Sequence, residues 1–389
     1  MSKLTFSYFN TSTGFWLTTF IIPLIILDLS KSAFYVTLSY ALNIIPYIII
    51  TPLAGVLGDT LNRKKIILFG EFLSALTGIL IYLTPFNPSN IHIFITLGFI
   101  ISSFAAIHHP VFQSIIPDTT QPELVKNENA RIGIVDSIVG IIAPAIIGVA
   151  LISFDKKSVS LLIPAFYIIS FFSFSTVHYT PIHTLKLLSI KGTIESLKEG
   201  IAYVINKTEL RNIAILFFIV NFGIRLVLPN LMWIFNTTFG IPDNKIAPYF
   251  IIIGLLSVIG AKIAVHFIGK TKDINIILIS TFWVGICSLA LCFTQNAISL
   301  SIVWGISSLM QSIIIVTFFT YRQTITEPYI LSRVVSVTRL ISYLAIPLSS
   351  ISGGLLLEKQ KNIDTVFIAS GFFIFLSLAI YFFMTKKSR

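Results

Sequence analysis

The chain alternates long apolar runs with short polar breaks, and that rhythm predicts its architecture. Taking about 20 apolar residues as one membrane crossing, twelve runs qualify. They fall at roughly 12–29, 33–56, 66–84, 91–115, 129–153, 160–179, 211–236, 247–268, 274–294, 297–320, 334–357 and 363–384. Each predicts one transmembrane helix. The longest non-apolar stretch, about Thr180 to Glu209, is mixed in charge and compatible with a helix, and it divides six runs from six. The expected organisation is therefore a first bundle over 1–180, a linker over 181–210 and a second bundle over 211–389.

The two halves repeat in register. A shift of 203 residues lays Pro144 on Pro347, Asp136 on Arg339 and His108 on Gln311. A shift of 206 lays Pro23 on Pro229, Thr19 on Arg225 and Phe15 on Asn221. The fold class expected is thus an all-α membrane protein of twelve helices in two pseudo-symmetric six-helix bundles.

Composition removes other classes. The chain is 55% hydrophobic and only 11% charged, against about 25% charge in soluble domains. Its net charge of +11 sits in short loops between apolar runs, so no nucleic-acid partner is expected. Eighteen of the 27 Lys and Arg fall in loops or at span ends on one side of the twelve-helix arrangement, six on the other and three deeper within spans. By the positive-inside rule the richer side is cytoplasmic and holds both termini. Cys287 and Cys292 lie five apart within one apolar run and read as packing residues. The first run lacks a small-residue cleavage site and is expected to remain as a span. No phosphate loop, metal cluster or nucleophile beside a base is visible, so neither enzyme chemistry nor a cofactor is expected.

Between the second and third runs stands Gly55-Val-Leu-Gly58-Asp59-Thr-Leu-Asn-Arg63-Lys64-Lys65. Gly55 and Gly58 permit close helix approach, Asp59 suits a helix N-terminal dipole, and the three basic residues favour the cytoplasmic side. This loop resembles the signature of the major facilitator superfamily, matching at Gly55, Leu57, Asp59, Arg63 and Lys64 and departing at Gly58 and Asn62. Pro23 to Ala33, and Pro110-Val-Phe112 through Ile116-Pro-Asp118, are similar to the branch holding siderophore exporters and macrolide-type drug efflux carriers. The resemblance implies alternating access, a cavity lined by spans one, four, seven and ten, and contacts of span five with eight and of two with eleven. It places a multi-pass monomer in a bacterial inner membrane.

Ionisable groups at membrane depth are costly and mark function by default. Glu71, Asp136, Arg225, Lys262 and Arg339 are five such cases. Arg225 lies about fourteen residues into the seventh span, near 21 Å of helix rise from its start, and points to an anionic, carboxylate-bearing solute. Asn221 and Trp233, four before and eight after, are expected on a similar face. Thr19, His108 and Gln311 join them as cavity candidates by the implied fold. Asp136 and Lys262 are expected to pair as a gate, with Arg339 meeting Asp59 and Glu71 in a second one; Gly55, Gly58 and Arg63 belong to the same gating set. Adjacent His108 and His109 point about 100° apart on a helix, which disfavours a shared metal. Phe15 stands where many relatives carry an acid, so Asp136, Glu71 or His108 must handle any coupling proton. The expected function is proton-coupled export of a small organic anion such as a siderophore. The alternative is efflux of amphiphilic drugs, and import of a metal or metabolite and a non-transporting receptor stand behind both.

Overall fold

A backbone in hydrocarbon must satisfy its own polar groups, and a helix does so within one segment. The computed structural model, which describes residues 2–51, 61–179, 190–268, 270–327 and 329–387, is accordingly built of helices. They are α1 (Lys3–Ser30), α2 (Ala33–Ile49), α3 (Arg63–Leu83), α4 (Ile91–Thr119), α5 (Pro122–Ser153), α6 (Leu162–Ser175), α7 (Ile190–Asn206), α8 (Thr208–Val227), α9 (Ala247–Phe267), α10 (Asp273–Ala290), α11 (Ala297–Ile325), α12 (Leu331–Gln360) and α13 (Ile363–Lys387). Among the described residues ten segments are long and apolar enough to cross a membrane, or eleven when the two arms of α5, bent by 42°, count as one. The remaining apolar helix, α2, has 17 residues, so the series is consistent with the twelve spans expected. Gly55, Gly58 and Asp59 lie outside the described residues.

The chain forms two compact units, Met1–Lys31 with Leu42–Thr193, and Ser32–Ala41 with Ile194–Arg389. The division falls inside the linker helix α7, and the start of α2 counts with the second unit. The reason is visible at Gly354 of α12, where the backbone of Ala33 and Phe34 and the Thr37 hydroxyl come so near that any side chain would collide. Ser32 also donates to Glu358 at 2.9 Å.

In the first unit α1 packs on α4, α5 and α6, and α3 packs on α4 and α6. The division of α3 into two faces shows how the sequence sets this. Phe69, Phe72, Leu76, Leu80 and Leu83, spaced three or four apart, are all exposed on one stripe, as a lipid-facing side of a membrane helix is. Ile67, Glu71, Ser74, Ala75, Gly78 and Ile81 fill the opposite, buried stripe. One carboxylate is therefore carried inward by the helical period itself. In the second unit α8 packs on α12 and α13, and α11 packs on α9 and α10. Phe217 and Phe318 stack at 3.8 Å across α8 and α11.

Candidate functional site

The first unit gathers its polar side chains around Glu71. This residue is 1% exposed, and its Oε1 accepts hydrogen bonds from Thr11 Oγ1 at 2.7 Å and Ser170 Oγ at 2.6 Å. The Thr11 and Ser170 hydroxyls are 2.6 Å apart, and Ser7 lies 2.8 Å from Ser170. His108, 6% exposed, brings Nε2 to 3.5 Å from Glu71 Oε1. Neither that nitrogen nor Glu71 Oε2 has a hydrogen-bond partner among the described residues. Tyr8 lies over the same place, its ring 6.4 Å from His108 and 4.7 Å from Phe112, while its hydroxyl donates to Asp136 Oδ1 at 2.8 Å. Four helices, α1, α3, α4 and α6, thus enclose a carboxylate and an imidazole, and α5 adds a second carboxylate at the rim.

The helix face of Glu71 turns it into its own bundle, where hydroxyls of α1 and α6 occupy it. His108 is buried against Glu71 and stacked on Phe112 at 5.3 Å. Asp136 and Lys262 belong to different units; Lys262 is exposed and has no ion-pair partner among the described residues. Arg339 is exposed as well.

In the second unit Arg225 stands near the end of α8, just before the helical path tightens into the 3-10 turn Leu228–Asn230. Its Nη1 donates to Tyr40 Oη at 3.0 Å, and its Nε is buried without a partner. Among the described residues no carboxylate lies within ion-pair distance of it. Asn221, one turn earlier, uses its amide on the Phe217 carbonyl at 2.9 Å. Gln311 donates to Ser307 at 3.1 Å, and in the first unit Thr19 donates to the Phe15 carbonyl at 3.0 Å. Trp233 lies beyond a change in the helical path. Leu228–Asn230, with Pro229, form a 3-10 turn, and three residues at about 120° instead of 100° add roughly 60° to the rotation. Trp233 is carried off the Arg225 face and packs against the apolar core of its unit.

Arg63 and Lys64 act as clasps within the first unit. Arg63 Nη1 pairs with Asp118 at 2.8 Å and donates to the Ser114 carbonyl at 2.9 Å, joining the start of α3 to the end of α4. Lys64 reaches the Ser175 and Val177 carbonyls, both at 2.7 Å, at the end of α6. Cations on helix C-terminal carbonyls are favourable placements.

Sequence reasoning missed Arg322 and Glu128. Arg322 was counted as a loop cation; α11 runs on to Ile325, so the side chain is 5% exposed. It donates to Thr338 at 2.9 Å and lies 5.2 Å from the rings of both Phe318 and Phe319. The signal was those two aromatics, four and three residues earlier, on the same helical face. Glu128, before the spanning part of α5, accepts from Thr5 and Ser2 at 2.7 Å each and from Arg131 at 2.6 Å. Burial raises its carboxyl, but these hydrogen bonds outweigh burial and leave it below the usual range. Among the described residues no three metal-ligating side chains converge.

Among the described residues, ten or eleven apolar helices long enough to cross a membrane, in two compact units, make this a multi-pass membrane protein. The Major Facilitator Superfamily profile matches residues 4–346, and the chain belongs to that family. Its fold is similar to the nucleoside transporter NupG (TM-score 0.77, 14% identity, 99% of this chain and 100% of that one). It is likewise similar to a bacterial homologue of the iron transporter ferroportin (0.75, 16%, 98% and 97%) and to a D-xylose–proton symporter (0.72, 13%, 97% and 96%). At such identities the likeness is one of fold. No curated protein matches the sequence.

Proposed function

We propose that this chain is a proton-coupled exporter of a small organic anion, a polycarboxylate of the siderophore kind, with both termini in the cytoplasm of a bacterium. The observation that carries the reading is Arg225. A guanidinium deep in an apolar bundle is costly unless something answers it. What answers it here is one tyrosine hydroxyl and, among the described residues, no acid. A planar fork with unfilled donors matches a carboxylate in charge and geometry. The loop cations support the orientation through the positive-inside bias.

The test is binding of carboxylate siderophores, citrate, macrolides and lipophilic cations to the purified carrier by calorimetry, with Arg225→Ala and Arg225→Lys alongside. A carboxylate that binds the native chain and is lost in both variants, with thermal stability kept, supports the reading. Lysine keeps the charge but not the fork, so it should rescue little. Binding of only neutral or cationic amphiphiles, unchanged by either substitution, overturns the reading in favour of drug efflux.

A further inference from the structure

We propose that Arg322 and Arg339 form an oxyanion site between α11 and α12, suited to the phosphate group of a soluble cytoplasmic anion. The site is separate from Arg225 and does not depend on what Arg225 binds. Successive spans alternate in direction, so α8 and α11, three crossings apart, run oppositely. From the stacked Phe217 and Phe318, Arg225 lies eight residues along α8 and Arg322 four along α11. The two guanidinium groups are therefore about 18 Å apart along the bundle axis.

Arg322 supplies the buried half. It is 5% exposed, and its guanidinium lies 5.2 Å from the rings of Phe318 and Phe319. Packing on aromatic rings holds the plane of the group while leaving its in-plane N–H donors to hydrogen-bond. Nη1 donates to Thr338 Oγ1 at 2.9 Å, and that hydroxyl in turn donates to the Val334 carbonyl at 2.8 Å. Nε is buried and has no partner among the described residues. A buried charged donor left unmet is costly, so this edge of the fork calls for an acceptor that the described residues do not supply.

The residue after Thr338 is the second cation. Arg339 is exposed and lies within electrostatic reach of Arg322. Like charges at such range repel, and no ion pair among the described residues includes either of them. The acid that α12 does meet at this end, Glu199, is paired with Arg333 at 2.5 Å. The exposure of Arg339 is not to lipid. Leu344, Leu348 and Leu355 are exposed and lie five, nine and sixteen residues beyond it, about 140°, 180° and 160° around the helix. They mark the lipid-facing stripe of α12, and Arg339 stands on the opposite side. An anion reaching it comes from water, on the cytoplasmic side in the orientation proposed above.

Charge selects the class of anion. Two guanidinium groups without an acid carry two positive charges, which a single carboxylate only half neutralises. A phosphate group carries about −1.5 to −2 near neutral pH and has enough oxygens to accept from both forks at once.

The experiment is calorimetric titration of inorganic phosphate into the purified full chain in phosphatidylcholine nanodiscs, with thermal unfolding in parallel. The proteins compared are native, Arg322→Met, Arg339→Gln and Lys359→Gln. Native protein is expected to bind phosphate and to unfold at a higher temperature in its presence. Arg322→Met and Arg339→Gln are each expected to weaken binding about ten- to hundredfold, the loss of one charged hydrogen-bonding partner. Lys359→Gln removes one exposed charge at the other end of α12 and should leave binding intact. Arg339 is at the surface, so its variant decides the case if Arg322→Met fails to fold. No phosphate binding, or equal binding by native protein and both arginine variants, overturns the proposal, and so does a preference of this pair for citrate over phosphate. Stabilisation by phosphatidylglycerol that is lost in both arginine variants, with none from inorganic phosphate, overturns the soluble source. Phosphate binding that survives Arg225→Ala supports a separate site even where carboxylate binding fails; a loss there as large as in Arg322→Met overturns it.

Discussion

Gly260 in α9 is packed so closely on α11 that a single methyl group should be measurable. A Cβ added there would lie 2.1 Å from the Leu309 carbonyl oxygen and 2.8 Å from its carbonyl carbon and Cα. Ordinary carbon–oxygen contacts are about 3.3–3.6 Å, so the helices must part by roughly 1.2 Å. The obstacle is backbone, which no rotamer change can remove. Overpacking of this kind costs about 1–3 kcal/mol, offset by about 0.8–1 kcal/mol because alanine is the better helix former. Gly260→Ala should therefore destabilise by up to about 2 kcal/mol, a fall of about 2–4 °C per kcal/mol in Tm for a unit of this size. The control is Gly133→Ala, whose Cβ meets nothing within 4 Å and whose Tm should hold or rise. The assay is thermal unfolding of the purified protein in one detergent. A Gly260→Ala protein as stable as the native one would refute the close packing of α9 on α11.

Three further outcomes follow from the same geometry. Asp118→Asn removes the ion-pair partner of the nearly buried Arg63 guanidinium, which keeps its bond to the Ser114 carbonyl, and by the usual cost of breaking a buried pair should lower stability by about 3 kcal/mol, read as earlier unfolding in denaturant. Arg322→Met removes a buried cation that has no acidic partner among the described residues, so Tm should hold or rise; a clear drop would show that the Phe318, Phe319 and Thr338 contacts outweigh its desolvation. Glu128 has its folded pKa below the unfolded value of about 4.5, so its contribution is present above that pH and is lost as pH falls through the folded value. Glu128→Gln should flatten that acid limb of a stability–pH curve, and an unchanged limb would contradict the role given to Ser2, Thr5 and Arg131.

The sequence by itself determined the membrane class, the helical rhythm and the inward stripe of α3 that carries Glu71. Lipid makes this legible: it forces each apolar run of sufficient length into a helix, and helical period then sorts residues by face. Arg225 was legible too, because one charge in an apolar run stands out against the cost of burying it. What answers each charge was decided by tertiary structure alone. Glu71 finds His108 on the next helix but also Thr11 and Ser170, at opposite ends of its unit, and Arg225 finds Tyr40, 185 residues away. Serine, threonine and tyrosine cost little in a hydropathy count, so nothing along the chain marks which of them will become partners. Arg322 shows the converse. Its charge suits a loop, and only the continuation of α11 past Phe318 and Phe319 buries it. Trp233 left the Arg225 face for an equally local reason, the tighter 3-10 turn at Pro229. Hydropathy measures the transfer of one segment out of water, whereas partnership depends on which faces of different segments meet, and that is a property of the packed bundle.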